Sequence, residues 1–226
     1  MSTEDLQLSA TRTAPVLTFP AEEAAIIRRY YREAQVILEY GSGGSTYLAA
    51  SLPGKFVMSV ESSLDWATVL QAQINAANLP SPTVVYHVDI GPTGSWGRPQ
   101  SSEHWSSFYR YPTRVWTESF FRVPDLILID GRFRASCFVA SFLRITKPTT
   151  LLFDDYTNRA AYHVVEKLVK PARFHGRMAE FVLIPGERPM WVHDLFNELM
   201  GDVADDTHKP ARYRAKPRLG YPFNQI

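Results

Sequence analysis

Acidic residues that follow short apolar runs carry the clearest chemistry in this chain: Glu39, Glu61, Asp89, Asp130 and the pair Asp154-Asp155. The runs before them are Val36-Ile37-Leu38, Phe56 to Val60, Thr83 to Val88, Asp125 to Ile129 and Thr150 to Phe153. Short runs without polar alternation suit strands covered on both faces. In an open parallel sheet the ligand crevice lies outside the carboxyl ends of the strands. The acids are therefore expected to ring one mouth of a sheet. Any one of them also has an ordinary use, because an acid there commonly caps a helix or makes an Asx turn. Repetition at every strand is what argues for a site.

The loop after the first strand is Glu39-Tyr40-Gly41-Ser42-Gly43-Gly44-Ser45. A dinucleotide fingerprint places small residues at three set positions. Gly41 and Gly43 match the first two, but Thr46 falls on the third. Glu39 would repel a pyrophosphate and favour a cationic ligand. Two unit charges ~4 Å apart interact by roughly 4 kcal/mol at an effective dielectric of 20, which sets the sign of that preference. No Gly-Lys-Ser/Thr follows the glycines, so a phosphate-binding P-loop is absent. Glu61 lies 61 − 39 = 22 residues after Glu39. There a carboxylate can accept hydrogen bonds from both hydroxyls of a ribose, with helix capping as the plain alternative.

Strands alternate with helical segments. Pro20 opens a helix over Ala21 to Ala34, and others are expected over Ser45 to Ser51, Leu64 to Ala77 and Phe133 to Arg144. A further helix carries Ala161, Val164, Val165 and Leu168, and Ala172 to Ile184 reads as a hairpin turning at His175-Gly176. Such alternation defines an α/β fold with a doubly wound, mostly parallel sheet. Residues 1–19 are expected as an N-terminal arm, 20–200 as the α/β domain and 201–226 as a basic tail. The tail carries Lys209, Arg212, Arg214, Lys216 and Arg218. An insertion at 91–123 is too long for an ordinary connection and is rich in aromatics, with helix expected around Glu103 to Phe121. It reads equally as a pocket wall or lid and as packing over the sheet edge.

The 24 Lys and Arg against 23 Asp and Glu give a net charge of +1, so no general attraction for nucleic acid or membrane is expected. One cysteine, Cys137, allows neither an intrachain disulfide nor a cysteine-rich zinc site. The polar N-terminus lacks the apolar run of a signal peptide, and no stretch approaches a membrane span. A cytoplasmic protein with a small-molecule partner is expected, and homo-oligomerisation stays open.

The run Ile37-Leu38-Glu39-Tyr40-Gly41-Ser42-Gly43-Gly44-Ser45-Thr46 resembles motif I of the class I S-adenosylmethionine-dependent methyltransferases. Glu61, Asp89 and Asp130 fall where that family's later motifs place their acids, and the resemblance spans about Val36 to Ile184. It implies a seven-stranded Rossmann-like sheet with one antiparallel strand, which the C-terminal hairpin would supply. It also implies S-adenosylmethionine as cofactor. The Gly41-Ser42-Gly43 backbone and Glu39 would lie against it, Glu61 would bind its ribose, and Asp89 would approach its adenine amino group. Asp130 would face the methionine part and the acceptor. Ser45 departs from the third glycine that many members carry.

Methyl transfer from a sulfonium is an in-line displacement with an activated leaving group, so the protein mainly aligns the partners and, where needed, removes a proton. Asp130 and Asp155 are the candidates for acceptor-side work. Asp130, Asp154 and Asp155 are also placed like the carboxylates of divalent-metal-dependent O-methyltransferases, and hard cations prefer oxygen ligands. Asp155, however, stands where an amide ligand commonly follows. The favoured reading has Asp130 orienting cofactor or substrate and Asp155 capping the last helix, with no metal. His87, His104 and His163 read as structural or solvated. An NAD-dependent oxidoreductase and a non-catalytic, methyltransferase-like binding protein are the alternatives. The first must account for Glu39 and Thr46.

Overall fold

The structure is a computed structural model that describes residues 14–206. Most of the expected N-terminal arm and the basic run of the tail lie outside the described residues. Seven strands form one sheet: β1 (Val36–Tyr40), β2 (Phe56–Glu61), β3 (Thr83–His87), β4 (Leu126–Ile129), β5 (Thr149–Phe153), β6 (Arg173–His175) and β7 (Met178–Leu183). Their order across the sheet is β3-β2-β1-β4-β5-β7-β6. The first five are parallel, and β7 runs antiparallel to both β5 and β6. The sequence order reverses between β1 and β4, which opens a crevice at their carboxyl ends.

The helices are α1 (Ala21–Glu33), α2 (Gly44–Ser51), α3 (Leu64–Ala76), α4 (Trp105–Phe108), α5 (Arg110–Thr113), α6 (Arg134–Arg144) and α7 (Trp191–Asp206). Successive residues of a strand point to opposite faces, and here both faces are apolar. Ile37, Val57 and Leu128 pack with Ile27 and Tyr31 of α1 and Ala49 of α2. Leu38, Met58, Ile127 and Ile129 pack on the other face with Cys137 and Phe138 of α6. The central strands β1, β2 and β4 are therefore covered on both faces, as continuous apolar runs require. Among the described residues no helix is long and apolar enough to cross a membrane.

Three expectations change in detail. The insertion contributes short turns, α4, α5 and a 3-10 segment at Arg114–Thr117, in place of one helix. Pro112 lies inside that stretch and lacks the N–H that a longer helix would use. Phe108, Tyr111 and Val115 enter the main core, so this part of the insertion packs over the sheet. The helix after β5 is 3-10, Ala160–Lys167. The hairpin turn falls one residue later than expected, on Gly176 and Arg177, because His175 pairs with Met178. Gly176 takes the positive φ of 57° that this tight turn needs.

Candidate functional site

The crevice is shaped by a backbone crossing. Gly41 leaves β1 at φ 101° and donates its N–H to the Val60 carbonyl at 2.9 Å. A Cβ on Gly41 would lie 2.6 Å from the Gly131 nitrogen, and one on Gly131 would lie 2.7 Å from the Gly41 nitrogen. The loops after β1 and β4 thus touch main chain to main chain, with no room for a side chain on either. Gly44 is equally confined, because the backbone of Val16 and Leu17 rests on it.

Glu39 lies beneath this loop and is fully buried. Its carboxylate accepts from the Tyr31 and Thr46 hydroxyls, and Thr46 Oγ1 in turn accepts the Gly43 N–H at 3.0 Å. Burial pushes the Glu39 carboxyl above its usual range, and the hydroxyl donors oppose that shift. Glu39, expected to lie against the ligand, is placed beneath the loop and not in the cavity wall. It sits inside β1, its side chain is consumed by two donors, and it acts on the loop from below. Thr46, a mismatch to a dinucleotide fingerprint, is the link between this acid and the glycine turn.

Above the loop lies a cavity of about 570 Å³. Residues 41–45 form its floor, Glu61 and Trp66 one side, and Asp130, Gly131 and Arg132 another. Glu61 is held by main-chain donors: Ser62 N–H at 2.7 Å and Ser63 N–H at 2.9 Å to Oε1, and Ser42 N–H at 3.3 Å to Oε2. A carboxylate offers about four lone-pair sites, so it keeps capacity for ligand hydroxyls. Ser42 is pinned by Ser59 Oγ at 2.7 Å and by the Trp66 indole N–H, which reaches its carbonyl at 2.8 Å. Gly97 packs on Glu61 and Ser62, and Ser62 Oγ donates to its carbonyl at 2.8 Å. Beside it Trp96 is 84% exposed at the cavity rim with φ 62°, a conformation uncommon for a bulky residue. The insertion is thus both core and wall.

At the β4 end, Asp130 pairs with Arg134 at 2.9 Å. Burial pushes its carboxyl up to about 7; Arg134 opposes the shift, and Asp154 and Asp155 reinforce it. Asp154 is fully buried and gripped by Arg177 through Nε at 3.0 Å and Nη2 at 2.8 Å. Asp155 meets Arg159 at 2.8 Å and Arg134 and Arg177 at 3.3 Å. A divalent cation does not fit the pair Asp154-Asp155, because guanidinium groups already neutralise both carboxylates. Among the described residues no group of three His, Cys, Asp or Glu is arranged to hold a metal. Prolonged chelation with EDTA is accordingly expected to leave ligand affinity within twofold, measured by titration calorimetry before and after treatment; a loss restored by added magnesium would contradict this.

Several sequence candidates separate here. Gly41, Ser42, Gly43, Glu61 and Asp130 line one cavity. Asp154 and Asp155 do not, and Asp155 binds arginines where a helix cap was expected, since the following 3-10 segment has no side-chain cap. Asp89 also stands off the cavity wall; it is exposed and accepts the Gly91 N–H at 2.8 Å. His163 stacks on Tyr156, and the His104 ring rests against Gly91. Sequence reasoning missed Trp66, Arg132 and the segment around Pro15, Val16, Thr18 and Phe19, and placed Trp96 and Tyr111 only among the aromatics of the insertion; all of them line the cavity. The glycines bracketing Trp96 and the run Asp130-Gly131-Arg132 were the available signals.

A seven-stranded sheet in this order, with a glycine loop at its switch point and an acid ending the neighbouring strand β2, is the class I methyltransferase fold. The chain is similar to a methyltransferase-like protein from Silicibacter pomeroyi, at 44% identity over 84% of this chain and 98% of that one, with a TM-score of 0.80. It belongs to the class I S-adenosylmethionine-dependent methyltransferases, a family of methyl-transferring enzymes. Two more distant similarities are to an O-methyltransferase from Bacillus cereus in complex with SAH and an O-methyltransferase from Thermotoga maritima. The first is 19% identical over 74% of this chain and 70% of that one, with a TM-score of 0.47. The second is 12% identical over 84% and 74%, with a TM-score of 0.48. Neither carries an argument about this site. No protein-family profile and no curated protein matches the chain.

Proposed function

We propose that the cavity holds S-adenosylmethionine and that the chain transfers its methyl group to a small-molecule acceptor. One observation carries this reading: Glu61, oriented by three main-chain N–H groups, faces a cavity whose far side presents Asp130, with the Gly41–Gly131 crossing between. When bound, the cofactor supplies an activated methyl group on a sulfonium. Glu61 accepts its ribose hydroxyls, the 41–43 backbone flanks the sulfur, and Asp130 accepts its ammonium. A cavity of about 570 Å³ lies in the range of small-ligand sites.

The chain's contribution to the reaction is alignment and exclusion of water. Tyr111 is no base, since burial pushes its hydroxyl far above the usual phenol range. Asp130 is the acid at the acceptor side, with its carboxyl at about 7. Titration calorimetry with S-adenosylmethionine and S-adenosylhomocysteine tests the reading, and silence at millimolar ligand would overturn it.

Asp130 also makes binding depend on pH. A cationic ligand favours the ionised carboxylate, so the complex holds fewer protons than the free chain. Affinity for S-adenosylmethionine is therefore full above about pH 7 and falls as Asp130 protonates, by up to about tenfold per pH unit below it. Dissociation constants at pH 8, 7 and 6 read this out. Asp130→Asn should flatten the profile, and an unchanged slope would remove Asp130 from the site.

A further inference from the structure

We infer that Arg132 holds the carboxylate at the amino-acid end of the cofactor, completing with Asp130 a site for an α-amino-acid zwitterion; this rests on the cofactor reading above. The two arginines after Gly131 differ sharply in what they touch. Arg134 is spent on the fold, bonding the Gly131 and Asp154 carbonyls and the Asp130 and Asp155 carboxylates. Arg132 lines the cavity, and among the described residues its guanidinium has no ion pair or hydrogen-bond acceptor. Its Nε is buried and unpartnered.

A part-buried cation without a partner is costly, and such a group is satisfied by an anion brought to it. Burial, Arg134 and Arg98 all disfavour the charge on Arg132, so no neighbour relieves it by charge attraction strong enough to reverse that shift. The chemistry wanted at this spot is a carboxylate or phosphate. Its position selects the cofactor as the source. Arg132 directly follows Gly131, whose backbone touches Gly41, so it stands beside the glycine loop. Glu61 ends β2 and Asp130 follows β4, two strand spacings apart across β1, or roughly 10 Å. That is about the reach of an extended homocysteine chain from a ribose held at Glu61. Asp130 and Arg132, of opposite charge on either side of Gly131, then match the ammonium and carboxylate of its far end.

The test compares S-adenosylhomocysteine with 5′-methylthioadenosine, which keeps the adenosine and sulfur and lacks the amino-acid end. Calorimetric affinities for both are measured on the wild-type chain, Arg132→Ala and Arg132→Lys. Arg132→Ala is expected to weaken S-adenosylhomocysteine about thirtyfold, the loss of a charge-assisted pair, and methylthioadenosine less than twofold. Arg132→Lys should fall between, because it keeps the charge and loses the planar fork. It also decides the matter if the alanine variant does not fold. Unchanged S-adenosylhomocysteine affinity would overturn the inference. Equal losses for both ligands would overturn it as general damage to the pocket. If the wild-type chain binds methylthioadenosine, the cofactor reading stands whatever Arg132 does; if it binds neither ligand, both fall.

Discussion

Glu61→Ala lowers affinity for S-adenosylhomocysteine by about a hundredfold. A hydrogen bond to a charged group contributes about 1.5–3 kcal/mol, and the substitution removes the acceptor for two ribose hydroxyls, so a loss of about 3 kcal/mol is a moderate expectation. The same change strips an acceptor from the N–H groups of Ser42, Ser62 and Ser63. Ser42 is part of the cavity floor, so some of the loss arises from a loosened loop. Glu61→Gln separates the contributions: one oxygen remains, and the loss should be smaller. A Glu61→Ala protein that melts cooperatively and still binds within threefold of wild type would remove the ribose assignment.

Gly41→Ala is expected to cost at least about 3 kcal/mol of stability and to lower the melting temperature by about 10 °C. Two penalties coincide: φ 101° is unfavourable for any L side chain, and the new methyl would lie 2.6 Å from the Gly131 nitrogen. Backbone on both sides leaves nothing flexible to yield. Gly43→Ala provides the contrast in the same loop, because a Cβ there meets nothing within 4 Å and its backbone is extended, at φ 175°. Its melting point should move by about 2 °C or less. Equal melting points for the two variants would mean that the loops after β1 and β4 do not touch.

The apolar runs were legible because a strand buried on both faces has little choice of residue, and all five parallel strands fall where those runs lie. β1 continues to Tyr40 because that ring is core, with its hydroxyl bonded to the Pro112 carbonyl at 2.7 Å. The acids were legible as a group and not one by one. Glu39 and Glu61 look alike in sequence, yet one is consumed beneath the loop and the other faces the cavity. What separates them is a pair of hydroxyl donors, Tyr31 and Thr46, that spacing does not reveal. Asp154 looked available until Arg177, 23 residues away, took both its oxygens. The insertion defeated any single reading because aromatic side chains serve core and pocket alike: Tyr111 does both, and Trp96 is left at the rim.

The grip of Arg177 on Asp154 also joins distant parts of the chain. Arg177 sits in the turn between β6 and β7, and its N–H also reaches Glu23 of α1 at 2.8 Å. One residue thus fastens the start of the domain to its antiparallel edge, directly under the acids beside Asp130. Without the β6–β7 hairpin, Asp154 and Asp155 would keep only Arg134 and Arg159 as their cations. A buried carboxylate short of its main partner resists burial. Removing the hairpin would therefore take from Asp154 the guanidinium that holds both its oxygens, and the loss would fall beside Asp130, which shares Arg134 with Asp154.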